Sequence, residues 1–455
     1  MTDLWLPDLT EVAGTKYQAI ADALGAAIER GVLRKGDRLP PQRAVAAKLG
    51  VDLTTVTKAY DTARLHGLIE ARGRAGSFVS GATQEPILPP PSVDTGMNMP
   101  PEIPGGVLSR AMIETSSALL AGAEMAWLQY APAGGAPQDR AAGARLLSRR
   151  GLPSAEEEVI VTAGGQNALH AILTSTLRPG DTVACGRFVY PGFKALAERI
   201  GLTLLPLRRL DSATLAKACR KHVVSALYVV PTNDNPSAIT LSEEARAALA
   251  LVARQYDLQV IEDDAYGLLA HVPIKPITAF APERCWYVAS LAKVITPALR
   301  LAYVRAPGIG SALRLATDVH ETAIMAPPLN AAMVSRWIDD GTFERLVAAM
   351  RAEIAWRQDL ADSVLGDLER QRSPEGYHIW LPLPAHFRAD DLVGAMRQHG
   401  LSMVAAASFA VERGDEQQAV RISLGGPIDH ERLGRALRVL HGYVSQPNGR
   451  ATPLV

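Results

Sequence analysis

Cysteine is scarce in this chain: there are three in 455 residues, at positions 185, 219 and 285. Their odd number and scattered positions give neither a disulfide framework nor the paired spacing of a zinc site. The sequence therefore predicts no bound metal and no disulfide-stabilised fold.

Long apolar runs are also missing. No stretch approaches the roughly 18 apolar residues of a membrane span. The N-terminus, Met-Thr-Asp-Leu-Trp-Leu-Pro-Asp, lacks the basic region and apolar core of a signal peptide. These two absences predict a cytoplasmic protein that does not contact a membrane.

The chain carries no net charge, because 47 basic residues balance 47 acidic ones. Its overall charge gives no attraction to nucleic acid, so any such role requires a local basic patch. A hydrophobic content of 48% is that of a globular protein. Its length corresponds to roughly two to three domains with ample core.

The first 80 residues have the pattern of three short helices and a hairpin. Thr15-Lys-Tyr-Gln18 has the form of a capping box, and Gly31 supplies a stop for the first helix. Asp52 is a suitable N-cap for the third. The pattern predicts helices after Thr15, over 42–49 and from 52 to about 66, then strands near 68–71 and 77–79. This order predicts a winged helix-turn-helix.

A basic patch lies within this region. Residues 30–74 contain ten basic and four acidic side chains, a local charge of +6 in a neutral chain. The third helix of such a unit enters the DNA major groove by its N-terminal end, and the wing reaches the backbone. The predicted DNA contacts are therefore Thr54, Thr55, Thr57 and Lys58 on the helix, with Arg72 and Arg74 on the wing.

The same region resembles a GntR-type DNA-binding domain over about residues 15 to 80. The resemblance rests on Gly-Val-Leu-Arg-Lys-Gly-Asp-Arg-Leu-Pro-Pro-Gln-Arg at 31–43, Thr-Val-Thr-Lys-Ala-Tyr at 55–60 and Gly-Arg-Ala-Gly-Ser-Phe-Val at 73–79. It implies contact with double-stranded operator DNA by Arg43 and the start of the third helix. Many members of that family carry arginine where this chain has Leu53.

A proline-rich stretch follows. Residues 81–92 include Glu-Pro-Ile-Leu-Pro-Pro-Pro-Ser, a composition typical of an extended linker. The sequence therefore predicts a DNA-binding domain over 1–80, a linker over 81–92 and a second domain over 93–455.

The second domain alternates short apolar runs with helical patterns. The runs at 159–162, 182–185, 225–230 and 259–262 are apolar and β-branched, as buried parallel strands are. Helical patterns at 166–177, 192–200 and 242–256 separate them. The fold class is therefore α/β, and ligands of such sheets bind beyond the carboxyl ends of the strands.

Lys293 stands in an apolar run, Ser-Leu-Ala-Lys-Val-Ile-Thr-Pro-Ala-Leu-Arg at 290–300. Apolar surroundings favour the neutral amine that a Schiff-base lysine requires. Ser290 and Arg300 could hold a phosphate. Pyridoxal phosphate needs this combination, although the run alone is equally compatible with a surface lysine after a strand.

Other candidate residues border predicted strands. Alone, each has an ordinary structural interpretation as a turn, a cap, a packing residue or a surface residue. Each also has a possible role toward pyridoxal phosphate or its substrate. They are Gly164, Gly165 and Gln166 for phosphate, Tyr190 for ring stacking, Asn235 for the ring hydroxyl, Asp263 for the pyridine nitrogen and Arg421 for a carboxylate.

Together and in this order, these residues resemble the fold-type-I aminotransferases over about 350 residues. The resemblance implies a mostly parallel sheet, a smaller C-terminal α+β subdomain and pyridoxal phosphate held as an internal aldimine on Lys293. It places Tyr266 beside Asn235 on the ring hydroxyl and makes Arg421 the ligand of an α-carboxylate. It also implies a homodimer in which Tyr130 reaches the neighbouring subunit's phosphate. Gly165 stands where relatives often have a hydroxyl residue.

A GntR-type domain joined to an aminotransferase-like domain resembles the MocR-type regulators. The resemblance implies a DNA-binding transcriptional regulator that binds pyridoxal phosphate and senses an amino compound or the coenzyme itself. Two alternatives stay open from the sequence. The protein could be a catalytically active aminotransferase carrying a DNA-binding domain, or a regulator whose large domain is only a dimerisation scaffold.

Overall fold

The computed structural model describes residues 5–6, 15–34, 36–65, 68–73, 76–80, 96–122, 126–384, 386–412, 414 and 418–445. The chain divides into two compact units, Met1–Ser92 and Val93–Val455. The predicted linker over 81–92 lies outside the described residues, and the domain limits at 80 and 92 stay predictions.

The first unit has the predicted order of three helices and a hairpin. Asp52 accepts hydrogen bonds from the backbone N–H and the hydroxyl of Thr54, both at 3.0 Å, and so caps the third helix. Gly50 ends the second helix in the left-handed region at φ 61°. The elements are α1 (Lys16–Glu29), α2 (Gln42–Leu49), α3 (Leu53–Leu65) and the antiparallel strands β1 (Ile69–Ala71) and β2 (Ser77–Val79).

The predicted capping box at the start of α1 is only partly formed. Thr15 does occupy the N-cap position, but its side chain makes no hydrogen bond to the helix backbone. Its hydroxyl donates instead to Gln18 Oε1 at 2.7 Å. The two side chains satisfy each other, so the cap's usual backbone contact is absent.

A seven-stranded sheet forms the centre of the second unit. Its strands are β3 (Val159–Thr162), β4 (Thr182–Gly186), β5 (Thr203–Leu207), β6 (Ala226–Val229), β7 (Gln259–Asp263), β8 (Cys285–Ser290) and β9 (Ala302–Arg305). They lie in the order β3-β9-β8-β7-β6-β4-β5. All run in one direction except β9, which is antiparallel to both its neighbours.

One sequence interpretation is corrected by this topology. We expected 159–162 to be a buried strand in a parallel ladder, but β3 is an edge strand that pairs only with the reversed β9. The apolar run has another cause. Ile160 packs with one core cluster while Val159 and Val161 pack with another, so both faces of β3 are covered.

Helices cover the sheet on both faces. In this unit they are α4 (Val107–Leu120), α5 (Pro137–Arg149), α6 (Gly165–Thr176), α7 (Pro191–Ile200), α8 (Ser212–Lys221), α9 (Glu243–Gln255), α10 (Ile277–Phe280), α11 (Ile309–Ala323), α12 (Pro328–Asp340) and α13 (Thr342–Leu365). Among the described residues, no helix has the length and apolar character needed to cross a membrane.

A smaller C-terminal α+β subdomain completes the unit, as predicted. Its antiparallel sheet has the order β10-β11-β13-β12. Its elements are β10 (Gln371–Arg372), β11 (His378–Pro382), α14 (Ala389–Arg397), β12 (Met403–Ala405), β13 (Ala419–Ser423) and α15 (His430–Val444). The loop after β6 contacts this smaller sheet: the backbone oxygen of Asp234 is 3.0 Å from His378 Nε2 in β11, and Asn235 Oδ1 accepts from Arg421 in β13.

Candidate coenzyme site and DNA-contact surface

The turn between β3 and α6 meets Ser290 and Arg300, as the phosphate-cup prediction requires. A Cβ built on Gly165 would lie 3.3 Å from Ser290 Oγ, and one on Gly164 would lie 3.5 Å from the Arg300 guanidinium carbon. Gly164 has φ +87°, a conformation that favours glycine. The first N–H groups of α6 have no partner within the helix, so this cradle suits an anion.

The side chain of Gln166 bonds to the protein rather than to the predicted phosphate site. Its Nε2 donates to the carbonyl oxygen of Gly192 at 3.0 Å, just after Tyr190. The side chain therefore joins the phosphate turn to the start of α7. Its backbone N–H, in the first turn of α6, is the group available for a phosphate.

Lys293 follows the end of β8 and is half-buried. Its Nζ donates to the backbone oxygen of Asn98 at 2.5 Å. The pKa of Lys293 is lowered from 10.5 to about 8, chiefly by burial and also by the charge of Arg421, while the charge of Asp263 opposes both. The amine is still mainly protonated at pH 7, but its neutral, nucleophilic form grows as pH rises through about 8, well below the pH that an exposed lysine requires.

Asp263 is the last residue of β7 and is buried. Its Oδ2 accepts a hydrogen bond from the Tyr228 hydroxyl at 3.0 Å. Burial raises the pKa of Asp263 to about 6, although the Tyr228 bond and the charge of Lys293 both lower it. A buried carboxylate of this kind can pair with a protonated pyridine nitrogen.

Arg421, in β13, reaches the predicted ring-hydroxyl residue. Its Nη1 donates to Asn235 Oδ1 at 3.1 Å, and its Nη2 donates to the backbone oxygen of Gly96 at 2.6 Å. The guanidinium is 5.3 Å from the Phe409 ring centroid. Arg421 is 2% exposed, so these acceptors fix the orientation of a buried fork of donors.

Two tyrosines lie among these groups. Burial raises the pKa of Tyr190, the charge of Asp263 raises it further and that of Arg300 lowers it, so Tyr190 lies within the field of both ends of the predicted site. The hydroxyl of Tyr266 accepts from Asn98 Nδ2 at 2.9 Å. Burial raises the pKa of Tyr266 to about 12, which keeps this hydroxyl protonated and able to donate.

Tyr130, the predicted contact to the phosphate of a neighbouring subunit, lies at the surface of the single chain. Its side chain is 83% exposed, beside an exposed Leu128. The next residue, Ala131, donates its N–H to Met325 Sδ at 3.1 Å, near the exposed Ile324. Tyr130 therefore lies at the surface of the described chain, beside other exposed apolar side chains.

Sequence reasoning missed three residues that hold the site together: Tyr228, Asn98 and His378. Tyr228 had a weak signal, as a polar-tipped aromatic in an aliphatic strand, Ala226–Val229. Asn98 had none, because it lies in an irregular segment. His378 Nε2 is 3.0 Å from the backbone oxygen of Asp234, and its Nδ1 is 3.1 Å from Asn98 Nδ2. Burial lowers the pKa of His378 to about 3, so the ring is neutral.

These residues fit pyridoxal phosphate. The glycine turn leaves the space that a Cβ would fill beside Ser290 and Arg300. A buried carboxylate, a lysine of lowered pKa and a buried arginine converge at the other end. In the described part of the chain, no group of three or more His, Cys, Asp or Glu side chains could hold a metal ion.

The starts of α2 and α3 form the candidate DNA surface. The Thr57 hydroxyl is 2.9 Å from Gln42 Oε1, next to the exposed Arg43, and equally close to the Leu53 oxygen. Lys58 is exposed, with its Nζ 4.2 Å from the centroid of the Tyr17 ring.

The predicted contacts on α3 differ in availability. Thr54 is exposed, but its hydroxyl donates to Asp52 and so offers DNA mainly an acceptor. Thr55 is half-buried, and the hydroxyl of Thr57 already has protein partners. Arg43 and Lys58 are therefore the side chains best placed to contact phosphate or base edges.

The wing also carries exposed cations. Arg72 lies 4.8 Å from the Phe78 ring centroid and donates to Glu70 Oε1 at 2.5 and 2.9 Å. Arg74 lies outside the described residues. Arg38 forms an isolated antiparallel β-bridge with Phe78, and its guanidinium lies against Gly76. It therefore adds a cation beside the wing.

Comparison with known proteins gives the family. The aminotransferase class I and II family model matches residues 102–440. The chain belongs to this aminotransferase class I and II family. A second model, that of the bacterial regulatory proteins of the gntR family, matches residues 16–79. The chain thus joins a GntR-type helix-turn-helix to an aminotransferase class I and II domain, the MocR type, and the predicted recognition is confirmed.

Relatives of similar length share this architecture. The chain is 28% identical over 446 residues to the uncharacterized HTH-type transcriptional regulator YdeF of Bacillus subtilis, covering 96% of each chain. It is 28% identical over 389 residues to the vitamin B6 salvage pathway transcriptional repressor PtsJ of Salmonella typhimurium, covering 83% of this chain and 88% of that one. Both of these relatives are named as transcriptional regulators.

Solved structures agree on the fold of the large unit. An archaeal alanine:glyoxylate aminotransferase has a TM-score of 0.69 at 22% identity, covering 76% of this chain and 89% of that one. At this identity the likeness shows the fold alone. The predicted α/β class and the fold-type-I aminotransferase architecture are confirmed.

Proposed function

We propose that this protein is a DNA-binding transcriptional regulator whose aminotransferase-like unit holds pyridoxal phosphate at Lys293 and senses an amino compound or the coenzyme itself. The observation that carries the proposal is that a GntR-type unit over residues 16–79 is joined to a unit in which Lys293 lies within the electrostatic influence of the buried Asp263 and Arg421. The vitamin B6 connection in the name of the similar repressor PtsJ supports a coenzyme-related signal.

Each residue of the site has a defined task in this proposal. Bound there, pyridoxal phosphate supplies an aldehyde that condenses with an amine and a ring that withdraws electrons. Gly164, Gly165, the backbone of Gln166, Ser290 and Arg300 would hold the phosphate. Tyr190 would stack on the ring, Asn235 and Tyr266 would bond its hydroxyl, and Asp263 would face its nitrogen. Arg421 would hold the carboxylate of an amino compound.

In this proposal Arg43, Lys58 and the start of α3 would contact DNA together with Arg72 of the wing, and Arg74 stays a contact predicted from the sequence. A ligand of the large unit can change DNA affinity only if it binds two arrangements of the protein with different affinity. That thermodynamic linkage gives the proposal its test, because loading of Lys293 must alter operator binding.

The proposal includes a cytoplasmic homodimer. An exposed apolar surface around Leu128, Tyr130 and Ile324 supports association with a second copy, because large apolar side chains grouped at a surface favour an interface. In such a dimer Tyr130 would reach the phosphate held by the partner subunit. Two DNA-binding units would then face repeated or inverted half-sites.

The decisive experiment titrates full-length protein onto its own upstream DNA, with and without pyridoxal phosphate, at one fixed salt concentration. Salt must be fixed because phosphate contacts make affinity strongly salt-dependent. We expect specific binding that changes with the coenzyme in the natural protein and does not change in Lys293→Ala. Absence of specific binding in both states would contradict the regulator.

A second candidate is a working aminotransferase, which the joint presence of Lys293, Asp263 and Arg421 favours. Multiple turnovers with a matched amino acid and keto acid would support it. The scaffold alternative has a different signature: the coenzyme would not attach to Lys293, and Lys293→Ala would leave regulation unchanged.

A further inference from the structure

An irregular segment at residues 96–101, here called the strap, contacts the coenzyme site. Asn98 in its middle is 1% exposed. The backbone oxygen of Asn98 accepts from Lys293 Nζ at 2.5 Å, and that of Gly96 accepts from Arg421 Nη2 at 2.6 Å. The strap therefore touches both the predicted coenzyme lysine and the predicted carboxylate-binding arginine.

The side chain of Asn98 is bonded on all sides. Its Nδ2 donates to the Tyr266 hydroxyl at 2.9 Å and is 3.1 Å from His378 Nδ1. Because His378 Nε2 faces a carbonyl oxygen, which can only accept, Nε2 carries the ring proton and Nδ1 accepts from Asn98. Asn98 Oδ1 accepts from the Ser423 hydroxyl at 2.8 Å. One amide thus joins the loop after β7 to strands β11 and β13.

The strap is closely packed on its other side. The N–H of Gly426 donates to the Pro100 oxygen at 3.2 Å, and a Cβ on Gly425 would collide with the Met99 oxygen. Displacement of Asn98 is therefore not easily absorbed by its neighbours, since the backbone there has little free space.

We propose that Asn98 is a positioning residue of the coenzyme site: its side-chain anchors hold its backbone oxygen against Lys293 and keep the strap closed over the amine. The inference deepens the proposed function, on which its biological meaning rests. It concerns the state of Lys293, so it can be tested with or without pyridoxal phosphate.

Loss of the anchors should change the acidity of Lys293. Burial is the largest cause of the lowered pKa of this amine, and the strap is part of what buries it. In Asn98→Ala the backbone oxygen remains and the contacts of Gly96 and Pro100 still hold the strap, but the side-chain anchors to Tyr266, His378 and Ser423 are lost. Water can enter the space that the amide leaves beside Nζ, so the pKa of Lys293 should rise. Loss of the hydrogen bond from the ammonium to that oxygen would act in the opposite direction, but burial is the larger effect.

The test labels full-length protein with a small acylating reagent over pH 6 to 11 and follows modification of the Lys293 peptide by mass. In the natural protein we expect a midpoint near 8, and in Asn98→Ala a midpoint about one pH unit higher. Incorporation of pyridoxal phosphate at Lys293, trapped by borohydride, should show the same displacement. The two proposals can fail separately. If the acylation midpoint shifts in Asn98→Ala but pyridoxal phosphate attaches to Lys293 in neither protein, the proposed function is contradicted and the role of Asn98 stands.

Ser423→Ala provides a second, milder variant that leaves residue 98 in place. It removes one anchor, so we expect a smaller shift in the same direction and no further shift when it is combined with Asn98→Ala. Ser335→Ala is the matched control. The buried Ser335 hydroxyl donates to Asp139 Oδ1 at 2.6 Å, and neither residue belongs to the coenzyme site. An unchanged midpoint in folded Asn98→Ala, or a shift as large in Ser335→Ala, would overturn the inference.

Discussion

The hydroxyl of Tyr228 donates to Asp263 Oδ2 at 3.0 Å, across the adjacent parallel strands β6 and β7. Asp263 is buried, and burial alone would favour its neutral form. The bond from Tyr228 stabilises the carboxylate and helps to keep its pKa at about 6, below neutral pH. An ionised Asp263 is the form that a pyridinium nitrogen requires.

Replacing Tyr228 with phenylalanine should therefore weaken coenzyme binding. Loss of a hydrogen bond to a charged group costs about 1–2 kcal/mol, which is roughly 5- to 30-fold in affinity at neutral pH. Affinity should also rise with pH between about 5 and 7, and its midpoint should move upward in the variant. Titration of pyridoxal phosphate by absorbance at several pH values measures both effects.

The control for this variant is Tyr287→Phe. Its hydroxyl makes an equivalent bond of 2.8 Å to Asp264, one residue along, in a buried group that includes Arg150. This change should lower stability and leave the pH midpoint of coenzyme binding in place. Equal midpoint shifts in the two variants would refute the specific role of Tyr228.

The lowered pKa of Lys293 predicts a pH-dependent reaction. Covalent incorporation of pyridoxal phosphate should accelerate as pH rises through about 8. The folded-state pKa lies below the 10.5 of an exposed lysine, so the unfolded chain binds more protons between about 8 and 10.5. The contribution of this group to stability should thus increase with pH across that window. Denaturant unfolding of the natural protein and Lys293→Met, compared at pH 7 and 10, measures this difference.

Gly164→Ala tests the phosphate turn. The backbone there has φ +87°, so alanine would cost about 1–2 kcal/mol and tilt the N–H groups of the turn away from the phosphate. We expect lower stability and at least several-fold weaker coenzyme binding. Gly151→Ala is matched in strain, with φ +84° and no atom near the added Cβ, so it should lose stability only. Unaltered coenzyme affinity in Gly164→Ala would rule out the assigned turn.

Arg43→Ala should reduce operator affinity by about 1–3 kcal/mol, because Arg43 is exposed beside the start of α3. If it contacts phosphate, the salt dependence should become shallower. Arg64→Ala removes an equal charge at the far end of α3, where Arg64 pairs with Asp61 at 3.1 Å. Electrophoretic shift assays over a salt series measure the effect of each variant on operator affinity. A local contact by Arg43 predicts a larger loss in Arg43→Ala, whereas a general loss of charge predicts equal losses in Arg43→Ala and Arg64→Ala.

Tyr130→Phe tests the shared site. Although this side chain is 83% exposed in the single chain, we expect its hydroxyl to matter for coenzyme retention once two copies associate. Dialysis should release pyridoxal phosphate several-fold faster from the variant, while light scattering still reports a dimer. Coenzyme retention equal to that of the natural protein would remove Tyr130 from the site.

Much of the architecture was predictable because local signals agreed with the fold. Helix α2 has the predicted limits, Gln42–Leu49, since proline and glycine mark both ends. The edge position of β3 was not predictable, because an apolar run reports burial on two faces and carries no information on ladder direction. The role of Asn98 was not predictable either, because its segment shows neither a hydrophobic periodicity nor a motif.

The sequence by itself determined the two-part architecture and the α/β class, because these follow from periodicity, composition and motifs. Its resemblance to the fold-type-I aminotransferases predicted Lys293, Asp263 and Arg421 as one set. Only the tertiary structure decided their surroundings: Tyr228 against Asp263, Asn235 and Gly96 against Arg421, and Asn98 against Lys293. The physical reason is that the pKa of a buried group depends on desolvation and neighbours brought together by folding, often from hundreds of residues away in the chain.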